Sequence, residues 1–109
     1  MVKQPQPSAK TLQRYRDLGE ELAGEGVSLG SMFGMPCYKA KGKAFAGVYG
    51  DDMVFKLRAD DLSEALALKG AHLFDPMGGR PMKEWVVIPS MHAKRWRVLA
   101  ESARSYTAS

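Results

Sequence analysis

The sequence predicts an α+β fold of two layers, an antiparallel sheet covered by helices, in the order α-β-β-β-α-β(β)-α. Across residues 30–57, aromatic or branched side chains alternate with small or charged ones, which is the period of half-buried strands. On both sides of this stretch, apolar residues recur at three- and four-residue spacing, which is the period of a helix lying on a core. A sheet with helices on one face is the economical arrangement for this order.

The chain begins with a polar segment, residues 1–7, that contains two prolines. We interpret it as a tail in front of a single domain spanning residues 8–107, a size that suits one hydrophobic core. Ser8 or Thr11 is predicted to cap the first helix, because a side-chain oxygen there satisfies the unpaired amides of the first turn. The apolar stripe of this helix consists of Leu12, Tyr15, Leu18 and Leu22.

Residues 30–57 are predicted to form three short strands, with Val27 to Phe33 leading into the first. Turns are expected at Lys41-Gly42-Lys43 and at Gly50-Asp51-Asp52, since Gly and Asp tolerate the positive φ of tight hairpins. Strict alternation places Phe45 and Tyr49 on one face, together with Phe55 and Leu57. Gly47 lies between the first two and predicts a close approach of a helix or another backbone.

The second half is predicted to hold a short helix beginning at Asp60 or Asp61, an extended piece at residues 72–76, a loop at residues 77–81 and a strand at residues 85–88. Ser90 is expected to cap the last helix. An apolar seam, which would lie along a core or along a partner, is formed there by His92, Trp96, Leu99, Ala103 and Tyr106.

Composition sets limits on the class of protein. No apolar run reaches the ~18 residues of a membrane span, and the N-terminus lacks the apolar region of a signal peptide, so we expect a cytoplasmic protein without a membrane partner. Cys37 is the only cysteine, which excludes an internal disulfide and a zinc site built on several cysteines. The net charge of +4 permits contact with nucleic acid without requiring it.

No catalytic constellation can be recognised, and we predict neither an enzyme nor a cofactor or metal site. Cys37 with His72 or His92 has the residue types of a nucleophile and a base, but the alternatives are a packed thiol and packed or partner-facing histidines. The two histidines lack an acidic partner at metal-ligand spacing. Asp51 and Asp52 are explained by turn chemistry.

The loop after residue 77 is a candidate anion site. Gly78 and Gly79 offer bare amides, and Arg80 and Lys83 offer positive charge. The spacing is neither that of a Walker loop nor that of a dinucleotide fingerprint. The alternative is a flexible connection to the last strand.

Basic residues form a candidate contact with nucleic acid. Lys39, Lys41 and Lys43 alternate around a predicted turn, and Arg95 and Arg97 lie in the last helix. No recognition helix or RNA-binding aromatic motif accompanies them. The alternative is a solvated edge, since lysines on a hairpin protect an exposed strand against aggregation.

Short motifs spread over most of the chain resemble the N-terminal domain of the TfoX/Sxy competence regulators, with the MmcQ/YjbR family as a neighbouring possibility. The motifs are Met32-Phe33-Gly34, Gly42-Lys43 with Phe45, Val54-Phe55-Lys56-Leu57, Phe74-Asp75-Pro76-Met77-Gly78-Gly79, Trp85-Val86-Val87-Ile88-Pro89 and Trp96. The resemblance implies a regulatory module of the same α+β layout. Full-length members carry a second, helical domain, from which this chain departs by stopping at Ser109. No catalytic residues carry over from the family.

Three functional hypotheses follow. The first is a non-enzymatic regulatory or interaction module that acts through protein contacts, including a homodimer through an exposed strand edge or the Trp96 seam. The second is a nucleic-acid-binding accessory protein that uses the basic strand and helix residues. The third is binding of a small anionic ligand at Gly78 to Lys83.

Overall fold

The computed structural model describes residues 6–76 and 78–108. Three helices lie in these ranges, α1 (Ala9–Leu22), α2 (Ala59–Leu66) and α3 (Trp96–Ala108), together with 3-10 turns at Ala23–Glu25 and Ser90–Arg95. The strands are β1 (Val27–Met32), β2 (Met35–Ala40), β3 (Lys43–Tyr49), β4 (Asp52–Lys56), β5 (His72–Phe74) and β6 (Met82–Ile88). Most of the predicted tail, residues 1–5, and Met77 of the predicted loop lie outside the described residues.

All strand pairs are antiparallel and form one sheet in the order β1-β2-β3-β4-β6-β5. β1 to β4 form a meander joined by two-residue turns. Phe33 and Gly34 have φ of 50° and 78°, and Lys41 and Gly42 have φ of 53° and 79°, the pattern of type I′ turns. In the third turn only Gly50 has a positive φ, 62°, which suits type II′.

The first of these turns corrects one prediction. Residues 27–40 form two strands, β1 and β2, so the meander has four strands where the sequence predicted three. The signal was missed because Phe33 occupies the first turn position, and a positive φ is uncommon for a bulky residue. Gly34 supplies the second positive φ without steric cost.

The helices cover one face of the sheet, which we call the helix face. α1 lies against β1, α3 crosses β2, β3 and β4, and α2 packs on β6. The predicted two-layer α+β fold is therefore confirmed. The fully buried members of this core include Leu22, Tyr38, Phe45, Phe55, Leu57, Val86, Ile88 and Ala100.

A β-bulge in β3 overturns the predicted faces of that strand. The register with β2 shifts between Tyr38 and Lys39, so that Tyr38 pairs with Ala46 and Lys39 pairs with Ala44. Phe45 is the extra residue, and it packs in the helix-face core beside Tyr38. Tyr49 lies on the opposite face, because alternation resumes after the bulge.

The opposite face, called here the second face, carries its own apolar cluster. Its buried members are Met35, Val54, Phe74, Trp85 and Val87. The register between β5 and β6 shifts after Leu73, and the ring of Phe74 meets Tyr49 edge-on at 5.2 Å between centroids. The end of β5 thus covers β4 and β6 where no helix does.

None of the helices within residues 6–76 and 78–108 has the length and apolarity needed to cross a membrane.

Candidate interaction surface

The outer side of β1 is the one long open strand edge among the described residues. β1 is the terminal strand of the sheet and pairs with β2 alone. Its sequence, Val-Ser-Leu-Gly-Ser-Met, contains neither a charged residue nor a proline. Natural edge strands are usually protected by such residues, so β1 lacks the common defences against pairing with another strand.

The register shows which backbone groups point outwards from β1. Met32 and Met35 flank the two-residue turn, so they form a hydrogen-bonded pair. Alternate residues of β1 therefore bond to β2, and the N–H and C=O groups of the residues between them point away from the sheet. The outward-pointing residues are Val27, Leu29 and Ser31.

Apolar side chains accompany this edge. Leu29 is 62% exposed and Phe33 is 54% exposed. Leu29 lies against α1, since a Cβ added at Gly19 would stand 3.4 Å from Leu29 Cδ2. The flank of α1 that continues this surface carries Leu12, Gly19 and Ala23 together with the exposed Arg16, because these positions lie on the side of the helix away from the α3-facing Glu21. The edge and the helix flank together form a mainly apolar strip, called here the β1 edge surface.

The opposite edge of the sheet, at β5, is a poorer site for pairing with another strand. β5 has three residues, and its register breaks at Phe74. His72 is exposed there, and its ring Nδ1 lies 3.0 Å from the Leu73 carbonyl oxygen. A short, irregular strand is a poor template for pairing.

The predicted anion site at Gly78, Gly79, Arg80 and Lys83 contains an acid of the chain itself. The Asp75 carboxylate accepts hydrogen bonds from the amide of Gly79 at 2.8 Å and from that of Arg80 at 3.2 Å. These bonds lower the pKa of Asp75, the Gly79 amide contributing most. The site stays a prediction, and an added anion would have to compete with Asp75 for the same amides.

The predicted basic patch divides between the two ends of α3. Lys41 Nζ donates to the carbonyl oxygen of Ala108 at the end of the helix, at 3.2 Å. Arg97 lies in the first turn, about 16 Å away along the helix axis, and pairs with Glu21 at 3.0 Å.

The three predicted lysines also diverge. Lys39 pairs with Ala44 of the second face, Lys41 occupies the turn, and Lys43 pairs with Ala40 of the helix face. Contact of these lysines with Arg95 and Arg97 in one nucleic-acid surface stays a prediction, and it would need a ligand spanning the length of α3.

The candidate nucleophile and base are far apart. Cys37 and His72 lie in one row of the sheet, connected through the paired residues Gly47, Val54 and Val87. Four strand spacings separate them by about 19 Å. Cys37 is fully buried, and burial raises the pKa of its thiol. This confirms the interpretation of Cys37 as a packed thiol.

The remaining singled-out residues have structural partners. Ring Nε2 of His92 lies 2.9 Å from the Lys69 carbonyl oxygen, which connects the turn before α3 to the end of α2. Trp96 is buried, and its indole N–H donates to the Ile88 carbonyl at 3.3 Å. The predicted seam thus lies along the core at Trp96.

A shallow groove of about 280 Å³ runs between α2 and α3. Asp61 and Glu64 form one rim, and Lys94 and Arg95 form the other. The opposite charges on the two rims attract each other across the groove. The groove therefore favours neither an anionic nor a cationic ligand.

No family model matches the chain, and no curated protein or solved structure matches it either. The β1 edge surface therefore rests on its own geometry. Sequence reasoning anticipated an exposed strand edge without locating it. The available signal was the uncharged run at residues 27–32, which stands out in a chain that is 26% charged.

Proposed function

We propose that the chain is a non-enzymatic interaction module that binds a protein partner by adding one extended strand to β1. The observation that carries the proposal is the outward row of backbone donors and acceptors at Val27, Leu29 and Ser31 on an uncharged edge. Main-chain hydrogen bonds provide affinity in this mode of recognition, and alternate side chains provide specificity. The regulatory role implied by the TfoX resemblance is part of the same proposal.

Side chains support a protein partner over a charged polymer. Leu29, at 62% exposure, is the most exposed large apolar residue of β1. Burying the part of this side chain that is still exposed is worth about 1–2 kcal/mol before the cost of association. The neighbouring flank of α1 adds Leu12 and Ala23 to the same strip. β1 itself contains no positively charged residue, and the cation placed on it is Lys39 of β2, whose Nζ would stand 3.3 Å from a Cβ at Gly30.

Site-specific photo-cross-linking in the cells that produce the protein tests this proposal. A photoreactive residue in place of Leu29 is expected to form covalent adducts with a protein partner. The matched control replaces Ser63, which is exposed on α2 at a distance from the β1 edge. Adducts at position 29 alone support the proposal. No adduct at position 29, or equal adducts at both positions, contradicts it.

A further inference from the structure

We propose that the strand completing the β1 edge comes from a second copy of this chain, so that two β1 strands pair antiparallel about a two-fold axis at Leu29. This inference rests on the proposed function and names its partner. The product is an isologous dimer, in which the same surface of each copy meets the other. The two sheets of six strands become one continuous sheet of twelve.

The hydrogen-bonding pattern of β1 selects this register. Only Val27, Leu29 and Ser31 present outward groups, so antiparallel pairing must match residues of this set with one another. With Leu29 opposite the second copy's Leu29, Val27 meets Ser31 in both directions, and all three residues exchange both bonds. A shift of the axis to Ser28 or Gly30 leaves part of the set unmatched, or brings the 3-10 turn or the hairpin turn into the pairing.

Charge and side chains suit self-association. β1 itself contains no ionisable side chain, and the charge nearest to its backbone is the Lys39 ammonium, whose Nζ would stand 3.3 Å from a Cβ at Gly30 on the second face. The register places the two exposed Leu29 side chains directly opposite each other on the helix face. Each Leu29 would then be covered in the dimer by another apolar side chain.

The first helix also leaves room for a second copy. α1 is hydrogen-bonded at its start to the turn between β3 and β4, and it passes over β1 near Gly19, which contacts both Leu29 and Tyr38 at the position of a Cβ. A helix lying between β1 and β2 stands about 5 Å from the axis, so the two α1 helices would be about 10 Å apart, a normal packing distance. Ala23, which is exposed on this flank of α1, is small enough for that approach.

Space beside the start of β1 is open as well. A Cβ at Gly24 or Gly26 would have no atom within 4 Å, apart from chain neighbours. In the proposed register, Phe33 of the second copy comes to this position, because residue 33 lies opposite residue 25. The half-exposed ring would then lie beside Gly24 and Gly26, neither of which has a side chain in its way.

Mass in solution tests the proposal on the purified wild-type chain. Sedimentation equilibrium is expected to give twice the 12.0 kDa of one chain. Leu29→Lys is expected to weaken the dimer by at least about tenfold, because two lysines would meet at the axis. Val98→Lys is the matched control: Val98 is 68% exposed on α3, and its replacement should leave the mass unchanged.

Oxidative cross-linking tests the register. Opposed residues of a hydrogen-bonded pair have Cα atoms about 5.5 Å apart, within the range that a disulfide spans. Leu29→Cys should therefore form a covalent dimer, whereas Val27→Cys should not, because the two copies of residue 27 would lie about 14 Å apart. The native Cys37 is fully buried and does not interfere. A disulfide in Val27→Cys but not in Leu29→Cys would contradict the register.

The two proposals fail separately. A mass of one chain at all concentrations up to about 1 mM would overturn the second copy as partner. Photo-adducts at position 29 with a different protein would then still uphold the interaction module. If both experiments are negative, both proposals are wrong.

Discussion

Tyr15 of α1 and Tyr38 of β2 join the first helix to the sheet. Their rings stack with centroids 4.6 Å apart and planes within 2° of parallel. Tyr15 Oη donates to the Cys37 carbonyl at 2.9 Å, and Tyr38 Oη donates to the Tyr15 carbonyl at 2.6 Å. Burial raises the pKa of both phenols, because a phenolate would lose its hydration there.

Replacing Tyr38 with Phe should lower the free energy of unfolding by about 1 kcal/mol at pH 7, the usual contribution of one hydrogen bond. A phenol whose pKa is raised on folding stabilises the native state fully below its unfolded pKa of about 10, and this contribution is lost as pH rises through the folded pKa. The wild type should therefore lose stability above about pH 10 more steeply than Tyr38→Phe. Urea unfolding between pH 7 and pH 11 measures both effects.

Phe45→Leu is the control for that experiment. It alters the packing against Tyr38, whose ring centroid lies 6.0 Å from that of Phe45, without removing a titratable group. It should lower stability and keep the alkaline slope of the wild type. Equal slopes for the wild type and Tyr38→Phe would show that burial of this phenol does not govern alkaline unfolding.

At Gly47 the sequence predicted a close approach of another segment but not which segment it would be. A Cβ at this position would stand 2.7 Å from Met35 Cε and 3.0 Å from the Pro36 carbonyl oxygen. The predicted close approach is therefore confirmed, and the approaching backbone belongs to the neighbouring strand β2. A lone glycine in a strand signals crowding, but only the pairing of β2 with β3 identifies the neighbour.

At the scale of elements, the turn between β3 and β4 holds the starts of two helical segments. Asp51 Oδ1 accepts from the Ser8 amide at 2.8 Å and from the Thr11 hydroxyl at 2.7 Å, at the start of α1. Asp52 Oδ1 accepts from the Ser90 amide at 3.1 Å, before α3. The sequence analysis explained Asp51 and Asp52 by turn chemistry alone. In the fold, each of them also accepts a hydrogen bond from the first residues of a helical segment.

Thr11→Val should lower the free energy of unfolding by about 1–2 kcal/mol at pH 7, because the buried hydroxyl of Thr11 would no longer donate to a carboxylate. The bonds from Ser8 and Thr11 lower the pKa of Asp51. Their contribution is present above the unfolded pKa of about 3.9 and is lost as pH falls through the folded pKa. The difference between variant and wild type should shrink below pH 4 in denaturant titrations.

Thr107→Val provides a matched control for Thr11→Val. The hydroxyl of Thr107 is also buried, but it has no hydrogen-bond partner among the described residues. Removing it should leave stability unchanged or slightly raised, since no hydrogen bond is lost and an unpaired buried polar group is removed. A Thr11→Val cost no larger than that of Thr107→Val would contradict the role of the Asp51 contact.

For the whole molecule, the protection of backbone amides against hydrogen exchange should decrease from the centre of the sheet to its edges. β3 and β4 are covered by α3 on the helix face, and Val54 of β4 is fully buried on the second face. We expect native-state hydrogen exchange to be slowest in β3, β4 and β6. β5 should exchange fastest among the strands, because it is short and lies at an edge.

β1 provides the internal control for that measurement. The amides of Ser28 and Gly30 bond to β2, whereas that of Leu29 points outwards. Exchange at Leu29 should become faster on dilution, as the second copy dissociates, while Ser28 and Gly30 remain protected by β2. An exchange rate at Leu29 that does not depend on protein concentration would contradict the paired edge.

The sequence by itself determined the class of the fold, because helix and strand periods are local properties. Ser8 caps α1 as predicted, and the turns at Lys41-Gly42 and Gly50-Asp51 follow from the positive φ that glycine permits. The uncharged composition of β1 was also visible. These features depend on residues a few positions apart, which is why a single sequence reveals them.

Only the tertiary structure decided which residues meet and which remain open. The β-bulge places Phe45 on the helix face, and Asp51 accepts hydrogen bonds from residues 40 and 43 positions away in the chain. β6 inserted between β4 and β5, which fixed the order of the strands and left β1 at an edge. Such pairings depend on hydrogen bonding and packing between segments that are distant in the chain, so they cannot be predicted from the local periodicity of the sequence.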